Sequence, residues 1–317
     1  MPRVKLETIF ECIIEQMADG DDNWEMPWHG RHSLPLNADS GLSYKGINRI
    51  ILWARSSREK FNSRHWATFN QWRKLKQPVA KGQKGTALVR PIIATNEAGE
   101  QELRGFHTFH VFNGDQVLNR NEKHPDLFGQ EPIEIPDVER FVRGTGADIR
   151  IGGDRAVYFS REDLIRIPPP DSFIATRFST RQQNYYSTLL HELVHWTGHS
   201  SRENRQGPFE DHRENYAFEE LVAELGAAFL CSEFELEDVP RKSHAQYLNH
   251  WLQFIREQPE LLWRASSLAQ QAMTFLLETE APEPESDTSS PGWLQAQPTQ
   301  VDLLSPMSLN IAGARRA

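Results

Sequence analysis

Residues 191 to 195 read HELVH, and the four-residue interval between the two histidines constrains the local fold more than any other feature of the chain. On an α-helix, His191 and His195 lie on one face about one turn apart, so two imidazole nitrogens can converge on a single ion. The surroundings agree with a helix. Leu189, Leu190, Leu193 and Val194 are apolar, Ser187 is placed to cap the start, and Gly198 is placed to stop it. Glu192 projects beside the histidines. A buried helix that happens to carry two histidines and a glutamate satisfies the same five letters, so the pattern alone leaves both readings open.

A third donor separates them. After a stretch rich in charge and Gly-Pro, helical periodicity resumes in NYAFEELVAELGAAFLC, residues 215 to 231, where Leu221, Leu225, Ala228 and Phe229 form one apolar stripe. Glu220 and Glu224 stand one turn apart at its edge. Taken alone, two such glutamates are the solvated face of a good helix former. Following HELVH, they resemble the gluzincins, the thermolysin-like zinc peptidases, in which a glutamate on a second helix completes the coordination and an acid four residues later holds a ligand histidine. The resemblance implies His191, His195 and Glu220 as metal ligands, Glu224 behind a histidine, and Glu192 as general base toward a water whose pKa the ion lowers to roughly 7. Zinc suits two imidazoles and a carboxylate, and manganese or another divalent ion can substitute. The metzincin pattern continues to a third histidine, but Ser201 stands there. His199 and Tyr216 are left as candidates for lining a cleft or donating to an oxyanion.

Charge points to a second chemistry. The 317 residues carry a formal net charge of −9, which by itself argues against a polyanionic partner. Residues 31 to 90, however, hold thirteen lysines and arginines against Asp39 and Glu59 only, a local excess of eleven positive charges that leaves −20 on the rest. Such asymmetry is a nucleic-acid signal where the whole-chain balance is silent. Lys45, Arg49, Arg64, Arg73, Lys74, Lys76, Lys81 and Lys84 are the cationic candidates for DNA contact, with Trp66 as a stacking candidate. Trp24, Trp28, Tyr44, Trp53, Phe61, Trp66, Phe69 and Trp72 lie in or just before the segment, and rings among cations suit single strands. Most of these rings are expected in a core, because Trp66, Phe69 and Trp72 recur at helical spacing in HWATFNQWRKL. KGQKG, residues 81 to 85, reads as a turn before a hairpin or meander in which Pro91 marks an edge or a bulge.

The order of these motifs is specific. PWHGRHSLPLNADSGLSYKGINRIILW, SRHWATFNQWRKLKQPVAKGQKGTALV and HVFNGDQV, followed by YYSTLLHELVHWTGHSSR and YAFEELVAELGAAFL, resemble the ArdC family of plasmid antirestriction proteins over nearly the whole chain up to about residue 275. The N-terminal part is also similar to the corresponding region of TraC-type primases. The resemblance implies a single-stranded-DNA-binding domain joined to a zincin-like metallopeptidase domain, and protection of conjugatively transferred DNA from host restriction. The target would be a host restriction protein or another DNA-associated protein. The alternative is a non-catalytic DNA-binding protector with a structural or vestigial metal site. Primase activity is disfavoured, since the basic region holds no cluster of metal-binding acids.

The expected fold class is therefore α+β, with an α+β DNA-binding domain at 1–120, a zincin-like domain of small sheet plus helices at 136–279, and an acidic, disordered tail at 280–317. A linker falls at 119–136, where periodicity lapses. RAVYFS and DLIRIPPP read as strands ahead of the metal helices, after a helix from Pro136. Leu6, Ile9, Phe10, Ile13, Ile14 and Met17 give the N-terminus a helical period, and the glutamates among them exclude a signal peptide. Cys12 and Cys231, far apart, argue against a disulfide framework and for a reducing compartment. With no apolar run long enough to span a bilayer, a cytoplasmic protein without a membrane partner is expected.

Overall fold

A computed structural model describes residues 34–95, 101–118, 135–175, 179–236, 251, 253 and 256–279. The expected N-terminal helix, Trp24, Trp28, Cys12, most of the 119–136 linker and the 280–317 tail lie outside these residues. Cys231 is buried.

The first half is built on a four-stranded sheet in the order β1-β2-β4-β3, formed by β1 (Leu36–Asn37), β2 (His65–Ala67), β3 (Thr86–Thr95) and β4 (Gln101–Asn113). The long β3–β4 hairpin follows KGQKG as the turn signals predict. Pro91 sits on the edge strand, and the register shifts just after it, between Ile92 and Ile93. A proline is tolerated there because no ladder partner needs its missing N–H. Helix α1 (Ile47–Glu59) covers β3, and Asn48 satisfies both backbone groups of Val89, donating to its carbonyl at 2.8 Å and accepting from its N–H at 2.9 Å. An otherwise open strand edge is thereby closed by a side chain.

HWATFNQWRKL does not form one helix. Trp66 belongs to β2, and only α2 (Phe69–Lys74) is helical. Thr68 intervenes with extended backbone and a capping box with Gln71, so the chain turns from strand to helix within one residue. Trp66 and Trp72 are core, and the Trp72 indole donates to the Phe112 carbonyl at 2.9 Å.

The second half opens with α3 (Ile135–Gly144) and a three-stranded sheet of order β5-β7-β6, comprising β5 (Asp148–Ile151), β6 (Val157–Phe159) and β7 (Leu164–Ile167). The strands expected at RAVYFS and DLIRIPPP are β6 and β7. DIRI was not anticipated, because four residues with charged alternates give too short a pattern to read. Central β7 pairs in parallel with β5 and antiparallel with β6, leaving β6 at an edge.

The long helix α4 (Arg181–Thr197) packs on this sheet, and α5 (His212–Glu233) and α6 (Glu260–Glu278) pack on α4 and on each other. Ser187 does not cap α4. It is buried in the helix interior, and the start lies at Thr180, whose capping box with Gln183 adds almost two turns. Gly198 is the C-cap, in right-handed rather than left-handed backbone. Burial of side chains such as Leu189, Leu193, Leu221 and Leu225, each worth about 1.5–3 kcal/mol, drives this packing. The apolar core runs without a break from Ile47 and Trp53 in the first half to Leu262 and Met273 in α6. Arg49 helps to join them. It is 1% exposed, and its guanidinium donates to the Tyr44 carbonyl at 3.2 Å and the Phe229 carbonyl at 3.4 Å. It also lies 4.8 Å from the Phe229 ring centroid. Burial pushes its pKa down to about 10, with the charge of Glu233 acting in the opposite direction.

Candidate metal centre

Helices α4 and α5 cross where Gly226 meets Val194. A Cβ at Gly226 would stand 2.7 Å from Val194 Cγ2, so glycine permits the approach that brings the second helix to the histidines. At the start of α5, Asp211 caps the backbone by accepting from Arg213 N at 2.7 Å and Glu214 N at 3.1 Å. Glu219 and Glu220 follow two turns later, facing His195 and His191.

His191 Nε2 and His195 Nε2 are 3.2 Å apart, and each is 3.6 Å from one oxygen of the Glu220 carboxylate. Two donors bound tetrahedrally at about 2.1 Å from one ion stand about 3.4 Å apart, so this triangle fits a single small divalent cation. Both Nε2 atoms point inward toward Glu220, both Nδ1 atoms point outward, and the ring planes stand at 84° to each other. Among the described residues these three form the one group of histidine, cysteine and acidic side chains whose donor atoms gather within 4.8 Å.

Carboxylates stand behind both imidazoles. Glu224 Oε2 lies 3.5 Å from His191 Nδ1, where the interval of four predicts it. Glu219 Oε1, 3.2 Å from His195 Nδ1, was not foreseen. Only its adjacency to Glu220 signals it in the sequence, and adjacency does not say which way a helical side chain points. Glu219 is held in turn by Arg205, which donates to Oε1 at 2.7 Å and to Oε2 at 3.1 Å. The same guanidinium donates to the Val194 carbonyl and Thr197 Oγ1, both at 2.6 Å, and lies on Gly198. Burial alone would lower the His195 pKa, but the hydrogen bond to Glu219 and the charges of Glu220, Glu219 and Glu192 outweigh it and leave it raised. Burial would raise Glu219, yet His195 and Arg205 hold it below the usual carboxylate range.

The donors lie in a cleft of about 780 Å³ lined by both helices, the loop between them and β6. Glu192 is buried in its wall. Tyr216 stands at the rim, 56% exposed. His199 also lines the cleft but is outside the donor triangle, its Nδ1 2.7 Å from Ser201 Oγ. Ser201, standing where a third metzincin histidine would fall, thus ties down the loop. A second tie joins that loop to the small sheet. Arg202 pairs with Asp163, stacks 3.8 Å from the Trp196 ring centroid and donates to Tyr158 Oη at 3.3 Å. Tyr158 donates to Asp163 at 2.8 Å.

The cationic DNA candidates sort differently. Arg49 is internal, as described, and Trp66, in β2, is 1% exposed, so neither reaches a strand laid on the surface. Arg49 lies where α1 meets α5 and α6, and Trp66 packs edge-on against Phe61. Lys74 is exposed but paired with Asp39 at 2.8 Å, and Arg64 is half-buried. Lys45, Arg73, Lys76, Lys81 and Lys84 are exposed.

Comparison with known proteins agrees with both halves. Residues 5–120 match the N-terminal domain of anti-restriction factor ArdC, and residues 136–268 match the zincin-like metallopeptidase family. The y4eC protein of Sinorhizobium fredii is 30% identical over 85% of this chain and 90% of its own length. Crystal structures of the antirestriction ArdC protein from plasmid R388, metal-free and Mn(II)-bound, are 33% identical, with TM-scores of 0.70 and 0.71. They cover 86% and 89% of this chain and 97% and 100% of theirs. The chain belongs to the ArdC antirestriction family. It is also 31% identical over 89% of its length to the DNA primase TraC of Escherichia coli, of which it spans only 28%. No helix among the described residues is long and apolar enough to cross a membrane.

Proposed function

We propose that this antirestriction-family chain binds single-stranded DNA through its basic first half and acts as a divalent-metal peptidase in its second, protecting transferred plasmid DNA by cleaving a restriction or other DNA-associated protein. The observation that carries the reading is the triangle of His191, His195 and Glu220 beside Glu192, in a cleft flanked by a sheet edge. A divalent ion held there, with zinc favoured and manganese able to substitute as in the Mn(II)-bound R388 relative, would supply Lewis acidity and a water of lowered pKa. Glu192, buried in the cleft wall, would be the general base toward water and would return the proton to the leaving amine. Tyr216 and His199 are the rim donors available to the developing oxyanion. Among the described residues the outer edge of β6 has no strand partner, and an extended peptide can pair with it through main-chain hydrogen bonds. Glu219, Glu224 and Arg205 hold the imidazoles in register.

Binding DNA and target on one chain raises the effective concentration of any protein assembled on the same strand. The test is conjugation into a restricting host with wild type and Glu192→Ala. The variant is expected to lose protection, following a fall in cleavage rate of about 100-fold or more. Equal protection by both would remove proteolysis and leave DNA binding as the whole mechanism.

A further inference from the structure

Burial of Trp66 removes the aromatic that the sequence offered for stacking, yet the fold supplies another. Phe69, the first residue of α2, is 51% exposed, while its helix neighbour Trp72 is buried. Its ring packs edge-on against Phe112 of β4, with centroids 6.3 Å apart and planes at 66°. Phe112 lies in turn over Gly85: a Cβ there would stand 3.1 Å from Phe112 Cζ and 3.2 Å from His110 Cβ. His110 and Phe112 are two residues apart on one strand and so share a sheet face, and His110 is exposed. Phe69, Phe112 and His110 thus form a row of rings across α2 and β4, with glycine keeping the adjacent strand low.

Cations border the row. Arg73 follows Phe69 by one helical turn and is exposed. Lys84 precedes Gly85 and is exposed, and Gln116 Nε2 fixes its carbonyl at 3.0 Å, which holds the backbone one residue before Gly85, under Phe112. Between residues 60 and 95 the sequence holds eight lysines and arginines and no aspartate or glutamate. A lone exposed phenylalanine is unremarkable on any surface. A row of rings within an acid-free basic stretch has the complementarity of unpaired bases, whose π faces stack while the backbone meets the cations.

We propose that Phe69, Phe112 and His110 form a base-stacking platform for single-stranded nucleic acid, with Lys84 and Arg73 contacting its phosphates. The proposal rests on the single-strand-binding reading above and assigns the residues that perform it. The test uses the full chain and 5′-labelled oligothymidylate in fluorescence anisotropy at several salt concentrations. Phe69→Ala and Phe69→Leu should each weaken binding about tenfold with an unchanged salt slope, since leucine fills the space without a π face. Phe69→Trp should bind as tightly as wild type or tighter. Lys84→Ala should weaken binding and reduce the slope by about 0.7. An oligonucleotide carrying 5-iodouracil should photo-cross-link within residues 65–73 or 110–112. Wild-type binding with undiminished Phe69→Ala and Phe69→Leu, or cross-links confined elsewhere, overturns the platform and leaves single-strand binding standing. Failure of wild type to bind oligothymidylate, or equal affinity for a duplex, overturns the reading beneath it as well.

Discussion

The two histidine- and glutamate-bearing helices and the basic segment are both readable as chemistry in the sequence, but they survive folding differently. In α4 and α5 the spacing of His191, His195, Glu220 and Glu224 places their atoms directly, because helical period is a local property and both elements are helical. In residues 31 to 90 the signal was a count of charges, and a count carries no geometry. The fold sends Arg49 to the interior, spends Arg55 on Glu59 and Lys74 on Asp39, and leaves a subset exposed. A spacing motif predicts atoms, whereas a composition signal predicts only a population from which tertiary structure selects.

That contrast is tested hardest at the donor triangle. His191→Ala and Glu220→Ala should each abolish binding of the single divalent ion expected per chain, measured by elemental analysis after equilibration with zinc or manganese and dialysis. His199→Ala should retain it, since His199 stands outside the triangle. Full occupancy in Glu220→Ala together with loss in His199→Ala would mean that spacing had misled as readily as composition.

Arg49 tests the other side. Arg49→Ala leaves a cavity among Trp53, Phe229 and Met273 and removes the donor from the Tyr44 and Phe229 carbonyls. The expected loss of stability is about 3 kcal/mol, the scale of a large buried truncation with charged hydrogen bonds broken. Thermal unfolding should show it at any salt concentration. Because the guanidinium bridges α1 to α5 and α6, both halves should melt together at the lower temperature. An unchanged melting temperature with weakened DNA binding would return Arg49 to the surface chemistry that its charge first suggested.

A smaller effect is expected at the helix crossing. Gly226→Ala puts a methyl group into Val194, at a cost of about 1–3 kcal/mol from overpacking. Separation of α4 and α5 should weaken metal binding more than it lowers the melting temperature, since the triangle tolerates only a few tenths of an ångström. Pairing the substitution with Val194→Ala, which vacates the space, should restore the affinity. Failure of that rescue would show that the crossing is not what sets the donor spacing.

Much of the architecture followed from local signals. The hairpin after KGQKG, the edge position of Pro91, β6, β7 and helices α4 and α5 are each short-range patterns, and each is where its pattern predicts. Two differences are equally local in cause, and the others are tertiary. Ser187 has the residue type of a cap, while Thr180 with Gln183 makes the stronger box further upstream. Intervals of three on either side of Thr68 place Trp66 on a helix, but the backbone changes direction at Thr68. Glu219, Arg205 and the Tyr158, Asp163 and Arg202 cluster were invisible, because their partners are brought near only when the loop folds back on the sheet.

That last cluster gives the smallest and most pH-sensitive effect. The hydrogen bond from Arg202 holds the Asp163 carboxyl below the usual carboxylate range, and Tyr158 and the Arg202 charge add to it against partial burial. A carboxylate whose folded pKa is depressed stabilises the folded state fully above its unfolded pKa of about 4, and loses that contribution as pH falls through the lower folded value. Asp163 is partly exposed, so solvent screening limits the pair to about 1 kcal/mol. Asp163→Asn should therefore melt slightly below wild type at pH 7, with the gap closing as the solution is acidified below pH 4. Since the cluster ties β6 to the loop that follows the second histidine, the variant should also loosen the cleft edge, read as faster amide exchange at Val157 and Phe159. A gap that widens in acid would assign the stabilisation to a group other than Asp163, and unchanged exchange would separate the loop tie from the strand.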